Sequence, residues 1–227
     1  MPLVLWTPEE AAPRGLVLVG HGGSGHKRED YVVALARRLV RSSSIAVASI
    51  DGPVHGERRQ DRDSLPTLVL MEFAQSWAGD PTLTDRMVGD WTATLSELEA
   101  LDGLDGVPVG YWGVSMGTLL GLPFAAADDR VVSCVFGLAG LSGPTADRLA
   151  QDASRVTAPT LFLVQLDDEL FTTQSSLALF EAIGSTHKRL YAAPGRHRDV
   201  PTDAFHLSID FLTSQLEAVD GRDEIAG

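Results

Sequence analysis

Short runs rich in valine, leucine and isoleucine recur along the chain at residues 15–19, 44–50, 108–112, 131–138, 160–165 and 189–193. Most are apolar at nearly every position instead of at every second one, the pattern of strands buried on both faces. Segments with helical spacing lie between them. Tyr31, Val32, Leu35, Leu39 and Val40 form one stripe, and Met87, Val88, Trp91, Leu95 and Leu98 form another after an Asp80-Pro81 helix start. Phe205, Ile209, Leu212, Leu216 and Val219 form the last. Strands alternating with helices predict an α/β fold. The expected form is a doubly wound, mostly parallel sheet of about 6–8 strands in a three-layer α/β/α sandwich. Ligands on such sheets bind at the carboxyl ends of the strands, so chemistry is to be sought there.

A chain of 227 residues is long enough for a core held by neither disulfides nor metal. It reads as a single domain over 1–219, followed by an acidic tail, 220–227, expected to fray. Cys134 stands alone inside an apolar run and reads as a core thiol. The net charge of −13 repels nucleic acid and anionic membranes. The densest basic cluster, Arg58, Arg59 and Arg62, is interrupted by Asp61 and Asp63. No apolar stretch reaches the roughly 18 residues of a membrane span. The first residues lack the basic and apolar regions of a signal peptide, so a cytoplasmic location is expected. The expected partner is a small molecule, bound by a monomer or homodimer. One segment breaks the alternation. Residues 52–79 run from polar His55-Gly56-Glu57-Arg58 to apolar Leu65, Leu68, Val69, Leu70, Met71, Phe73 and Trp77. That is too long for a plain strand-to-helix loop, and it predicts a partial lid or pocket wall.

Gly113-Val114-Ser115-Met116-Gly117 follows one predicted strand and opens an apolar helical run. This is the context of a G-x-S-x-G nucleophile turn. A serine at the tip of so sharp a turn needs small neighbours two residues either side, and its hydroxyl then stands above the sheet at a positive helix end. A second strand ends in His21-Gly22-Gly23-Ser24-Gly25, a loop almost free of side chains. Backbone N–H groups of such a loop can approach a substrate oxygen; Gly23 and Met116 are the candidate donors. The same loop has a Gly-x-Gly-x-x-Gly spacing, but only Asp51 stands where a dinucleotide's ribose would need an acid. Acids follow a third strand, at Asp167-Asp168-Glu169, and His197 follows the last. A serine hydroxyl needs a base to take its proton, and the base needs a carboxylate to orient it. Serine, acid and histidine occur in that order.

On these motifs the chain resembles the α/β-hydrolase family from residue 15 to about 219. Asp51-Gly52-Pro53-Val54-His55-Gly56 adds the family's Asp-x-Pro-x-x-Gly stretch. The resemblance implies Ser115 as nucleophile, His197 as base, Asp168 as acid, His21-Gly22-Gly23 as oxyanion loop, and no cofactor. Gln165 stands where the family's acid turn often has glycine, so Asp167 remains an alternative to Asp168. The implied activity is a serine hydrolase cleaving a small carboxylic ester through an acyl-enzyme. A thioesterase or amidase with the same triad, a perhydrolase-type side activity and a noncatalytic ligand-binding relative are the alternatives. His21, Ser24, His55, Phe73 and Trp77 are candidate substrate-pocket residues. His206 is a weaker base candidate, and His187 reads as surface. His21, His26 and Asp30 make a poor metal set, because a flexible glycine loop carries them; none is expected.

Overall fold

The computed structural model describes residues 2–59, 61 and 65–223. The strands are β1 (Leu3–Trp6), β2 (Leu16–Gly20), β3 (Ala46–Ile50), β4 (Val109–Gly113), β5 (Val131–Gly137), β6 (Thr160–Gln165) and β7 (Lys188–Ala193). They form one sheet in the order β1-β3-β2-β4-β5-β6-β7. Every pairing is parallel except that of β1, which runs antiparallel to β3 with Leu3 opposite Ile50. This is the doubly wound, mostly parallel α/β sheet expected. The edge strand β1 is absent from the predicted runs because it has only four residues, three of them half-buried.

Alternation along each strand feeds two cores, which explains why the runs are apolar throughout. Leu16, Leu18, Ala48, Ile50, Tyr111 and Phe136 face one core, shared with α3 (Leu83–Glu99), α4 (Met116–Ala127), α5 (Ala146–Arg155) and α6 (Thr173–Ala182). Val17, Val19, Val47, Trp112 and Val135 face the other, shared with α1 (Asp30–Ser43) and α7 (Thr202–Asp223). Cys134 is fully buried in the first core, and burial pushes its thiol pKa well up. The Asp80 carboxylate accepts the Thr82 N–H at 2.9 Å, so α3 opens at Leu83, later than the Asp80-Pro81 start. Helix α6 carries no apolar stripe: only Ser176 and Leu179 are buried, and Thr172 caps it through the Ser175 N–H. Helix α7 reaches Asp223, and the rest of the acidic tail, 224–227, lies outside the described residues. Among the described residues no helix is long and apolar enough to cross a membrane.

The segment that broke the alternation contains a short 3₁₀ turn (Gly56–Arg58) and α2 (Pro66–Gly79). Helix α2 buries only Val69 and Phe73 and leaves Leu68, Leu70 and Met71 exposed, as is Leu65 just before it. The loop before the turn is anchored by a buried ion pair. Lys27 Nζ contacts Asp51 Oδ2 and lies 2.9 Å from Glu57 Oε2. Asp51 also accepts the backbone N–H groups of Lys27 at 3.0 Å and Glu57 at 2.9 Å. Burial alone would raise the Asp51 pKa, but the Lys27 and Glu57 hydrogen bonds outweigh it and hold the carboxyl below its usual range. Asp51→Ala is therefore expected to cost roughly 3–5 kcal/mol, the cost of breaking a buried pair, read as a lower urea midpoint at neutral pH. A depressed carboxyl stabilises the fold above its ordinary pKa of about 3.9 and loses that contribution as pH falls through the folded value. The gap between variant and wild type should thus close in acid; a gap independent of pH would reassign it to lost packing.

Candidate active site

Strand β4 ends at Gly113, and the chain turns sharply into α4. Ser115 sits at the tip with φ 56° and ψ −121°, a sparsely populated conformation costing about 1–3 kcal/mol. The two glycines are required by different contacts. A Cβ on Gly113 would stand 2.6 Å from the Gly117 carbonyl oxygen, and one on Gly117 would strike the backbone of Gly20 in β2. The Ser115 N–H donates to the Gly137 carbonyl at 2.9 Å. The Thr118 hydroxyl accepts the Gly137 N–H at 2.8 Å and lies 2.8 and 2.7 Å from the Gly113 and Gly137 carbonyl oxygens. The turn is thereby pinned to both β4 and β5.

Three strand ends converge on the serine. His197, after β7, places Nε2 2.9 Å from Ser115 Oγ. Its Nδ1 lies 2.7 Å from Asp168 Oδ2, after β6. Asp168 Oδ1 accepts the N–H groups of Leu170 at 2.7 Å and Phe171 at 3.0 Å, which fixes the carboxylate's orientation. Of the two candidate acids, Asp168 faces the imidazole. Asp167 is exposed and accepts the Gly195 N–H at 3.1 Å. His206 is exposed on α7, and His187 is exposed as read. Two neighbours hold the histidine loop. Glu169 Oε2 accepts the His197 N–H at 3.0 Å, which draws its carboxyl below the usual range. The Gln165 side-chain N–H donates to the Asp199 carbonyl at 2.7 Å. Glu169 was not singled out in the sequence, where nothing distinguishes it from the acids beside it.

The glycine loop lies opposite. The Gly22 N–H donates to the Tyr31 hydroxyl at 2.7 Å, and the Gly25 N–H to the Gly22 carbonyl at 3.2 Å. Among the described residues, neither the Gly23 N–H nor the Met116 N–H has an acceptor. These two residues adjoin: a Cβ on Gly23 would stand 3.6 Å from Met116 Cβ. Met116 opens α4, so its N–H also carries the positive end of the helix dipole.

A cavity of about 280 Å³ opens over Ser115 and His197, between the glycine loop, Tyr31, Leu138, Val200 and Phe205. Ser24 lines it, but the other candidate pocket residues do not, which corrects the expectation for them. His21, His55 and Phe73 are buried behind the glycine loop. Trp77 stacks on Phe73 with ring centroids 6.0 Å apart and donates its indole N–H to Thr145 at 3.1 Å. The reason is that α2 packs on the back of Gly23, where Leu70 and Phe73 approach the loop. Tyr31 and Phe205 take the place of that wall. Their stripes mark them as core, but both stand in the first turn of a helix and lean on Trp112, each with ring centroids 6.0 Å away. The His21, His26 and Asp30 set is not brought together. His21 is buried against Gly52, while His26 and Asp30 are exposed. Among the described residues no cluster of three potential ligands occurs.

No family model and no curated protein sequence matches the chain. Solved structures do. The PEG-bound complex of a cold-adapted esterase from an Arctic intertidal metagenomic library is 39% identical, with a TM-score of 0.84 over 94% of this chain and 88% of that one. The native structure of a cold-adapted esterase from such a library is 35% identical, with a TM-score of 0.76 over 95% and 87%. Acetyl xylan esterase 1 from Thermoanaerobacterium sp. JW/SL YS485 shares the fold at 17% identity, with a TM-score of 0.70 over 94% and 78%.

Proposed function

The chain belongs to the α/β-hydrolase family, and on that premise we propose that it is a serine carboxylesterase acting on small esters. The observation that carries this reading is the unbroken line from Asp168 through His197 to Ser115, at 2.7 and 2.9 Å, beside two N–H groups that have no acceptor among the described residues. His197 Nε2 takes the Ser115 proton as Oγ attacks the ester carbonyl. Asp168 keeps the remaining proton on Nδ1 and stabilises the imidazolium. The Gly23 and Met116 N–H groups receive the oxyanion. Collapse breaks the bond to the alcohol oxygen, which leaves with the proton from His197. Water, deprotonated by His197, then attacks the acyl-enzyme, and the acid and free serine are released. The sequence of steps consumes only the ester and one water. The 39% identity to an esterase supports an ester as substrate.

Hydrolysis of p-nitrophenyl esters of increasing chain length, with thioester and anilide controls, tests the reading. Turnover of the controls alone would move the assignment to a thioesterase or amidase. No turnover of any substrate, with no fluorophosphonate labelling, would favour a noncatalytic binding relative. A cavity of about 280 Å³ is at the small end of ligand sites, so short acyl esters are expected to be preferred. Methylenes beyond its walls gain little of the roughly 0.8 kcal/mol available from full burial. Phe205→Ala should shift the optimum toward longer chains, while Phe73→Ala should not, since Phe73 faces the back of the loop. The opposite pattern would return α2 to the role of pocket wall.

A further inference from the structure

His55 is fully buried, lies outside the cavity and takes no part in the proposed steps. A polar ring withdrawn from water needs partners, and each of its nitrogens faces a carbonyl oxygen. Nε2 lies 2.9 Å from the Gly23 carbonyl oxygen and Nδ1 2.5 Å from that of Pro53. The ring is held edge-on by His21, with centroids 5.1 Å apart, and covered by Phe73 of α2 at 5.7 Å. The loop presenting it is strained. Val54 has φ 56°, a left-handed conformation that β-branched residues avoid. Strain of this kind persists only where surrounding contacts over-determine it.

Those contacts meet at Gly23. Glycine is the residue freest to rotate, so an N–H that must point at a substrate oxygen is poorly held by a glycine loop alone. The peptide before Gly23 is planar and trans, so its N–H points away from the Gly22 carbonyl. That carbonyl is held by the Gly25 N–H at 3.2 Å and by His21 Nδ1 at 2.8 Å, while His21 Nε2 accepts the Gly52 N–H at 2.8 Å. This leaves the peptide after Gly23, whose carbonyl faces His55. We propose that His55 is a positioning residue of the oxyanion loop: by donating from Nε2 to the Gly23 carbonyl, it fixes the second peptide flanking Gly23 and keeps the Gly23 N–H aimed at the developing oxyanion. This rests on the serine-esterase reading. It gives the strained Asp51–Gly56 stretch a part in the reaction without any contact to substrate.

His55→Leu removes the donor, and His55→Gln keeps a side-chain N–H able to reach the carbonyl. His55→Leu should lower kcat roughly 10²-fold, with KM changed less than about threefold, approaching the loss of one oxyanion donor. Affinity for a boronic-acid transition-state analogue should fall in step with kcat, and His55→Gln should recover at least about tenfold of either. A purely structural role would not separate kcat from KM, nor respond to the glutamine. Nitrogen-15 NMR of the wild-type His55 ring gives an independent reading. A neutral ring has one N–H and an imidazolium two, and the proposal requires a proton on Nε2 in either case. An unprotonated Nε2, a kcat for His55→Leu near that of wild type, or a glutamine variant no better than the leucine one would overturn it. Should His55→Leu not fold, the glutamine variant and the NMR spectrum decide. Failure of the esterase reading itself would look different, because the wild-type protein would then neither hydrolyse esters nor react with a fluorophosphonate.

Discussion

Ser115→Ala is expected to lower kcat on p-nitrophenyl acetate by on the order of 10⁶-fold, the loss seen when a serine hydrolase nucleophile is removed. Stability should hardly change. Alanine meets the same left-handed strain at φ 56°, and the bonds that pin the turn, from the Ser115 N–H to Gly137 and from the Thr118 hydroxyl to Gly113 and Gly137, do not involve the lost hydroxyl. The Gly23 and Met116 N–H groups would remain, so a residue of catalysis over water should persist. Intact-mass analysis after fluorophosphonate treatment should show one adduct on the wild type, mapping to Ser115, and none on the variant. Undiminished turnover by the variant, or an adduct on another serine, would sink the nucleophile assignment.

The parts legible in sequence are those where chemistry and sterics restrict residue type at a fixed spacing. Gly113 and Gly117 flank Ser115 because no side chain fits either place, and that restriction is visible without the fold. Burial on both faces wrote the central strands as continuous apolar runs, so the strand ends could be located, and the serine, the histidine and one of two acids were singled out there. The spacing of the acid turn points to Asp168 but leaves Asp167 as an alternative. The distinction lies in which carboxylate accepts the Leu170 and Phe171 N–H groups and so turns toward His197. Elements whose identity depends on tertiary contact were not legible. Strand β1 is an edge with one buried residue, and α6 has no stripe. Helix α2 has the composition of a lid, but its placement behind Gly23 follows from the contacts of Leu70 and Phe73 with the loop. Tyr31 and Phe205 read as core because a period of 3.6 reports the buried face of a helix, not that its first turn looks over the edge of a sheet.

Asp168→Asn is expected to cost about 10⁴ in kcat, and Asp167→Asn no more than a few-fold. The geometry supplies the reason for so large an effect from one atom. Asp168 Oδ1 accepts two backbone N–H groups, at 2.7 and 3.0 Å, while Oδ2 faces His197 Nδ1 at 2.7 Å. An asparagine has one oxygen, and the two N–H donors claim it, because turning the amide NH₂ toward them would set donors against donors. The NH₂ is then left facing Nδ1. It donates there, which forces the imidazole proton onto Nε2, the nitrogen 2.9 Å from Ser115 Oγ. A protonated Nε2 cannot accept the serine proton, so the side chain keeps its place while the base is lost. Asp167, exposed and bonded to the Gly195 N–H at 3.1 Å, has no such leverage, and the oxygen of an asparagine there can accept the same bond. KM should move little in either variant, since neither side chain lines the cavity. A ranking with Asp167→Asn the more damaging would transfer the acid to Asp167. Two mild losses would mean that His197 takes its tautomer from elsewhere and that the carboxylate is not part of the machinery.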